Sequence, residues 1–162
     1  MSAITALLAE LETESRSSIK MLERVPADKL DWQPHAKSMA LGQLAWHIAT
    51  IPMRVGQMLD RGEFDLLNAR PPMRDGADFA GEYQRNLAGI REKIGTLSEE
   101  TMREPFTLRR GEQVLFSIPK IAVVRNIFMN HSIHHRGQLS VYLRLLDVPV
   151  PAIYGTSADE AM

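Results

Sequence analysis

Three of the chain's five histidines fall in the single segment Asn130-His131-Ser132-Ile133-His134-His135. Imidazole is the commonest metal-ligating side chain and a base whose charge changes near neutral pH. Histidines four residues apart on a helix are separated by about 40° around the axis and one turn along it, so His131 and His135 can reach one ion. His134 is turned about 100° from His135 and reads as a supporting or surface group. The stripe Ile121, Val124, Phe128, His131, His135 and Tyr142 points the pair toward the core. A fourth histidine, His47, lies in another apolar stripe, with Leu44, Ile51 and Met58, where an aliphatic residue is expected. His35 sits in a proline-bounded loop and reads as exposed.

Clustered inward imidazoles repel one another when protonated and leave nitrogens unsatisfied when neutral, at about 1–3 kcal/mol each. A divalent ion removes both problems. The chain has no cysteine, so disulfides, thiolate ligands and a cysteine nucleophile are excluded, and a metal must use nitrogen or oxygen donors. Three neutral imidazoles leave coordination positions open for water or substrate, whereas closed structural zinc sites normally have a fourth protein ligand. The predicted site, His47 with His131 and His135, is therefore a reactive one. The competing interpretation makes the same histidines hydrogen-bonded core residues, and sequence alone leaves it open.

Four long helices must position these residues. The first is expected from about Ala3 to Arg24, with Ile4, Leu8, Leu11, Ile19 and Leu22 at helical spacing and Pro26 closing it. Asp31-Trp32-Gln33-Pro34-His35 interrupts the helical pattern. Ser38 then offers an N-cap for a second helix running to about Asp60, with a kink expected at Pro52, just beyond His47. From Arg61 to Gly76, the residues Gly62, Asn68, Pro71, Pro72 and Gly76 predict a long link that permits a crossover. Asp78 caps a third helix carrying Phe79, Tyr83, Leu87, Ile90, Ile94 and Leu97, which ends around Ser98 to Arg103. Phe106-Thr107-Leu108 and Val114-Leu115-Phe116 suggest a short hairpin or an irregular extended loop between Pro105 and Phe116. The last helix opens at Pro119, with Ser117 nearby as a possible cap, and extends to about Leu146. Its first half is apolar around much of its circumference, which suits the core or a subunit contact. The prolines between Val148 and Gly155 require an extended tail.

At 162 residues, 44% hydrophobic and 24% charged, the chain suits one domain, 1–162, with a single core. A net charge of -1 from 19 basic and 20 acidic residues gives no electrostatic reason to bind nucleic acid or anionic lipid. The N-terminus Met1-Ser2-Ala3-Ile4-Thr5 lacks a basic region followed by an apolar run. No stretch reaches the roughly 20 apolar residues that span a bilayer, and a cytoplasmic location is the default expectation.

Four stretches carry a resemblance to a known family: Trp32-Gln33-Pro34, Leu44-Ala45-Trp46-His47, His131-Ser132-Ile133-His134-His135-Arg136-Gly137-Gln138-Leu139, and Pro149-Val150-Pro151-Ala152-Ile153-Tyr154-Gly155. The chain resembles the DinB/YfiT-like superfamily of metal-dependent proteins over nearly its whole length. The H-x-x-H-H-R-G-Q-L run with its Tyr-Gly tail is the most specific part. The resemblance implies an all-α four-helix bundle with a long crossover connection and one metal ion, nickel or zinc, on His47, His131 and His135. It further implies a homodimer, and chemistry of the kind found in thiol-dependent transferases and isomerases that use low-molecular-weight thiols. Gly137 is expected to admit a close backbone, Gln138 or Arg136 to orient a ligand or support the metal ligands, with Arg136 otherwise a solvated or salt-bridged residue, and Tyr154 to act as a lid or merely anchor the tail.

Two functional classes follow. In the first, a metal-dependent transferase or hydrolase uses the ion to lower the pKa of water or of a substrate thiol, although no general base can be read beside the site; Glu63, Asp65 and Asp75 lie in the long link with directions unread. In the second, a non-catalytic dimeric module binds metal or a small ligand in a stress response.

Overall fold

The computed structural model describes residues 2–68 and 71–161. Helix α1 (Ala3–Leu22) opens on Ser2, whose hydroxyl accepts from the Thr5 amide. It buries Leu7, Leu11, Met21 and Leu22 beside two polar residues, Ser15 and Ser18. Helix α2 (Leu41–Arg61) begins later than the Ser38 cap would set it, because the preceding loop supplies the capping groups. The Leu41 and Gly42 amides donate to the Trp32 and Leu30 carbonyls, both at 2.8 Å, and the Gln43 side chain accepts from the Ala40 amide at 3.1 Å. Amides of the first turn that lack helical partners are thereby satisfied from outside. Gly42 permits this approach: a β-carbon there would stand 3.2 Å from the Leu30 carbonyl oxygen. Trp32 is also held edge-on against Tyr142, ring centres 5.6 Å apart.

Helix α2 runs through Pro52 and stops at Gly62, whose φ of 67° is the left-handed conformation that suits a helix end. The link that follows holds a strand, β1 (Glu63–Asp65), not expected from sequence. Positions 69 and 70 of that link lie outside the described residues. Helix α3 (Phe79–Thr96) starts at Asp78, whose carboxylate accepts from the Gly81 amide at 2.9 Å, and buries Phe79, Tyr83, Leu87, Ile90 and Ile94. It ends before Ser98, which caps a separate short helix, α4 (Glu99–Arg103).

Strands β2 (Pro105–Arg110) and β3 (Gln113–Pro119) form an antiparallel hairpin with a register shift between Leu108 and Arg109. Gly111, φ 57°, lies in its turn. Strand β1 adds in parallel to β2, giving the order β1-β2-β3, and Phe64, Phe106 and Leu108 are buried. This small sheet corrects the all-α expectation: the chain is mostly helical with a three-stranded sheet. The hairpin was visible as two β-prone runs around a glycine, whereas three residues of β1 are too few to show a period.

The last helix (120–145) follows β3 directly, so Ser117 is a strand residue and not a cap. It starts as α-helix at Lys120–Ala122, widens to a π-helix over Val123–Asn130, and resumes as α-helix over His131–Leu145. In the π stretch the buried residues are the doublets Val123, Val124 and Phe128, Met129, set five residues apart, a spacing that the wider turn of i→i+5 hydrogen bonding accommodates. After His131, buried positions recur every three or four. The apolar first half of the helix is thus packed within this chain's own core. Helix α2 packs on α3 and on the last helix, and α1 on α3 and the last helix. Among the described residues no helix is long and apolar enough to cross a membrane.

Candidate metal centre

The packing of α2 on the last helix brings His47, His131 and His135 together. His131 Nε2 lies 2.7 Å from His135 Nε2 and 3.5 Å from His47 Nε2. Ring centres are 4.4 Å apart for His131 and His135, 5.1 Å for His47 and His131, and 4.6 Å for His47 and His135. One nitrogen from each lies within 4.8 Å of the others, and His135 is buried while the other two are half-buried. All three predicted residues meet at one point.

Gln138 explains the orientation of the most buried member. Its Oε1 is 2.7 Å from His135 Nδ1. A carboxamide oxygen only accepts, so Nδ1 carries the proton and Nε2 turns a lone pair to the cluster. This is the support that metal-ligating histidines commonly receive through their second nitrogen. Nitrogen lone pairs 2.7 Å apart repel unless a positive charge lies between them. A proton can bridge one pair at a time, whereas a cation among the three satisfies all at once. A tetrahedral ion with bonds of about 2.0–2.1 Å separates its ligand nitrogens by about 3.3–3.4 Å, and the distances of 2.7 and 3.5 Å fall on either side. The donor set fits a divalent ion of nitrogen preference. Among the described residues no carboxylate joins the cluster, so positions remain for a ligand from outside.

The other candidates go elsewhere. His134 is exposed, its ring 5.0 Å from that of His135, and exposed His35 accepts the Lys37 amide. Gly137 faces open space and admits no close backbone, which corrects that expectation. Arg136 points away from the cluster toward α1. Its guanidinium donates to the Glu14 carbonyl at 2.8 Å and pairs with the Glu14 carboxylate at 2.7 Å. It also bonds Tyr154, whose hydroxyl donates to Glu14 at 2.5 Å. Tyr154 therefore anchors the tail to α1 and is no lid over the site. Glu63 stands 3.6 Å from Arg109. Asp65 accepts from the Leu67 and Gly111 amides, and these bonds hold its carboxyl below the usual carboxylate range. Asp75 lies in a cleft with Asp28 and Asp31, away from the histidines.

A cavity of about 200 Å³ opens on His47 and His131. Its walls include Ile51, Val55, Met58 and Ile127, and among the described residues its charged side chains are Arg54 and Arg110. Arg54 follows His47 by seven residues, two turns along the same face of α2, and its guanidinium lies 5.0 Å above the Phe64 ring. Arg110 comes from the end of β2. A second cavity, about 410 Å³, meets the other side of His47 and Arg54, bounded by Met39, Trp46, Pro71 and Met73. The Trp46 indole donates to the Pro71 carbonyl at 2.8 Å, fixing the long link there. Sequence reasoning missed both arginines. The seven-residue interval was a usable signal for Arg54; Arg110 arrives through strand pairing and had none.

The chain and its fold find parallels among known proteins. The protein YrdA of Bacillus subtilis (strain 168) is 25% identical over 160 residues, covering 94% of this chain and 89% of its own. The crystal structure of the DinB-like protein YjoA from Bacillus subtilis superposes with a TM-score of 0.72 at 19% identity, over 91% of this chain and 97% of that one. A DinB-like protein from Bacillus cereus gives 0.65 at 19% identity, over 91% and 95%. The sequence model of the DinB family matches residues 1–162, and the chain belongs to that family.

Proposed function

We propose that the chain is a metal-dependent enzyme whose ion is held by His47, His131 and His135, of transferase or hydrolase type, with a low-molecular-weight thiol as one substrate. The carrying observation is the convergence of three imidazole nitrogens within 4.8 Å, with no carboxylate in the group, at the mouth of a cavity. When bound, a divalent ion lowers the pKa of a water or thiol that binds it and so supplies a nucleophile at neutral pH. The chain's own residues do the rest. Gln138 holds the His135 tautomer, Ile51, Val55 and Met58 keep the cavity wall dry, and Arg54 and Arg110 set its charge. Nickel or zinc suits the imidazole donors. The reading includes a four-helix bundle crossed by the long link, a homodimer and a cytoplasmic location.

A second reading, a non-catalytic module that binds metal or a small ligand, is favoured by one observation: among the described residues no carboxylate lines the cavity to serve as a general base. Elemental analysis of untagged protein tests what the two share, with about one ion per chain expected. Chelator-sensitive conversion of a thiol and an electrophile, or of an ester, then separates them. Metal without turnover selects the binding module, and absence of metal after reconstitution sinks both in favour of core histidines.

A further inference from the structure

We infer that the larger cavity, between α2 and the long link, binds a flat aromatic molecule of about two fused rings, which lies against Met39, Trp46 and Met73 with one edge at His47. The inference deepens the proposed function by giving the class of the substrate that meets the thiol, and it rests on that reading for this role alone.

The inner wall is one face of a helix. Gln43, His47, Thr50 and Arg54 stand at i, i+4, i+7 and i+11 of α2, a single stripe with the histidine inside it. The outer wall is Pro71 and Met73 of the link. Contacts behind the walls hold them in place. The Trp46 indole donates to the Pro71 carbonyl at 2.8 Å. The Met73 sulfur rests over Gly42, where a β-carbon would stand 3.3 Å from it, and the Met39 carbonyl accepts from the Tyr142 hydroxyl at 3.2 Å. Three polar groups of the lining are spent on the chain itself: the indole N–H on Pro71, the Thr50 hydroxyl on the Trp46 carbonyl at 2.8 Å, and the Gln43 oxygen on the Ala40 amide. Among the described residues no carboxylate lines this cavity. An indole ring, a proline and two thioethers are then the surfaces a ligand meets. Sulfur at a ring edge and ring against ring both favour an aromatic body over a saturated one of the same size. Volume sets how large that body is. The smaller cavity, about 200 Å³, is near the roughly 150 Å³ that holds one benzene, whereas about 410 Å³ falls in the range of roughly 300–1,000 Å³ usual for small-molecule sites. His47 borders both cavities, so a ring in the larger one leaves the smaller one open to a second molecule.

Titration calorimetry on the intact protein, with a chelator present so that no ion contributes, tests this with 2-naphthol, its saturated counterpart decahydro-2-naphthol, and one-ring phenol. 2-Naphthol is expected to bind about 10-fold tighter than phenol, through the apolar surface of the second ring. It should bind about 3- to 10-fold tighter than the saturated probe, through its contacts with sulfur and indole. Met73→Ala and Met39→Ala are each expected to weaken 2-naphthol by about 3- to 10-fold and to narrow its advantage over the saturated probe. Met73 is 40% exposed, so its variant reports on binding even if Met39→Ala loosens the start of α2. No binding of 2-naphthol, equal binding of the aromatic and saturated probes, or an affinity that neither methionine variant moves overturns the inference. Weakening by Ile127→Ala in place of Met73→Ala would put the ring in the smaller cavity and overturn it too. Methionine-dependent binding by protein that takes up no metal leaves the aromatic site standing and removes the metal reading. One ion per chain with no binding of 2-naphthol does the reverse.

Discussion

Adjacent residues of the last helix, His135 and Arg136, are both buried and face opposite kinds of surroundings. Around Arg136 every charge has a counterpart within this chain: the guanidinium meets the Glu14 carboxylate and carbonyl, and Tyr154 closes the ring between them. Around His135 there are two further bases and an amide. The first cluster is chemically complete and serves to tie the last helix and the tail to α1. The second is a set of like groups whose ring nitrogens lie close enough together to hold one metal ion. Burial of polar groups alone marks neither as functional; the balance of donors, acceptors and charge does.

The comparison breaks most visibly at His131. His131→Ala should take the protein from about one ion per chain to none by elemental analysis. In wild type, a chelator should lower the melting temperature by the linkage contribution of the ion, and in the variant it should have no effect. Substitution on the other side should invert the pattern. Arg136→Ala leaves Glu14 partly buried without its cation, and breaking such a pair costs about 3 kcal/mol at this degree of exposure. A melting temperature lower by about 6–12 °C is expected, with metal stoichiometry intact below the transition. Metal lost along with stability would mean that the two clusters are one unit.

Gln138→Ala should sharpen the contrast further. Removing the partner of His135 Nδ1 is expected to weaken metal by about 10- to 100-fold, read by competition with a chromogenic chelator, with little change in melting temperature without metal. The smallest effect belongs to Asp65. Its carboxyl titrates below the ordinary value because the Leu67 and Gly111 amides bond its ionised form. Its stabilisation is therefore present above the ordinary carboxylate pKa and is lost as pH falls through the lowered value in the folded state. Melting temperatures of wild type and Asp65→Asn should differ most at neutral pH and converge in acid; a gap that stays constant with pH would contradict this assignment.

Much of the centre was legible because its members obey helical spacing. His131 and His135 announce one face by a four-residue interval, and His47 announces itself by interrupting an aliphatic stripe. The capping of α3 by Asp78 was likewise local and readable. What stayed hidden was carried by distant partners. The start of α2 depends on carbonyls of Leu30 and Trp32 that reach it across a loop, so Ser38 was a plausible but wrong cap. Strand β1 exists because β2 pairs with it from more than forty residues away, and the same pairing delivers Arg110 to the cavity. The π stretch did leave a trace, the five-residue interval between Val123, Val124 and Phe128, Met129, but the stripe Ile121, Val124, Phe128 and His131 suits a period of 3.6 as well.

That π stretch also bears on how relatives should be matched to this chain. Each i→i+5 ring encloses one more residue than an α-helical ring, so Val123–Asn130 acts as a phase adjuster between two rows of side chains. Upstream, the row of apolar doublets faces the core; downstream, the row begins with His131. In a relative whose helix is plain α throughout, aligning the doublets residue by residue would displace the H-x-x-x-H pair by a step, about 100° around the axis. The faithful alignment carries a one-residue gap inside 123–130, at a position such as exposed Asn126, and an apparent indel there is a change of pitch, not a loss of the site.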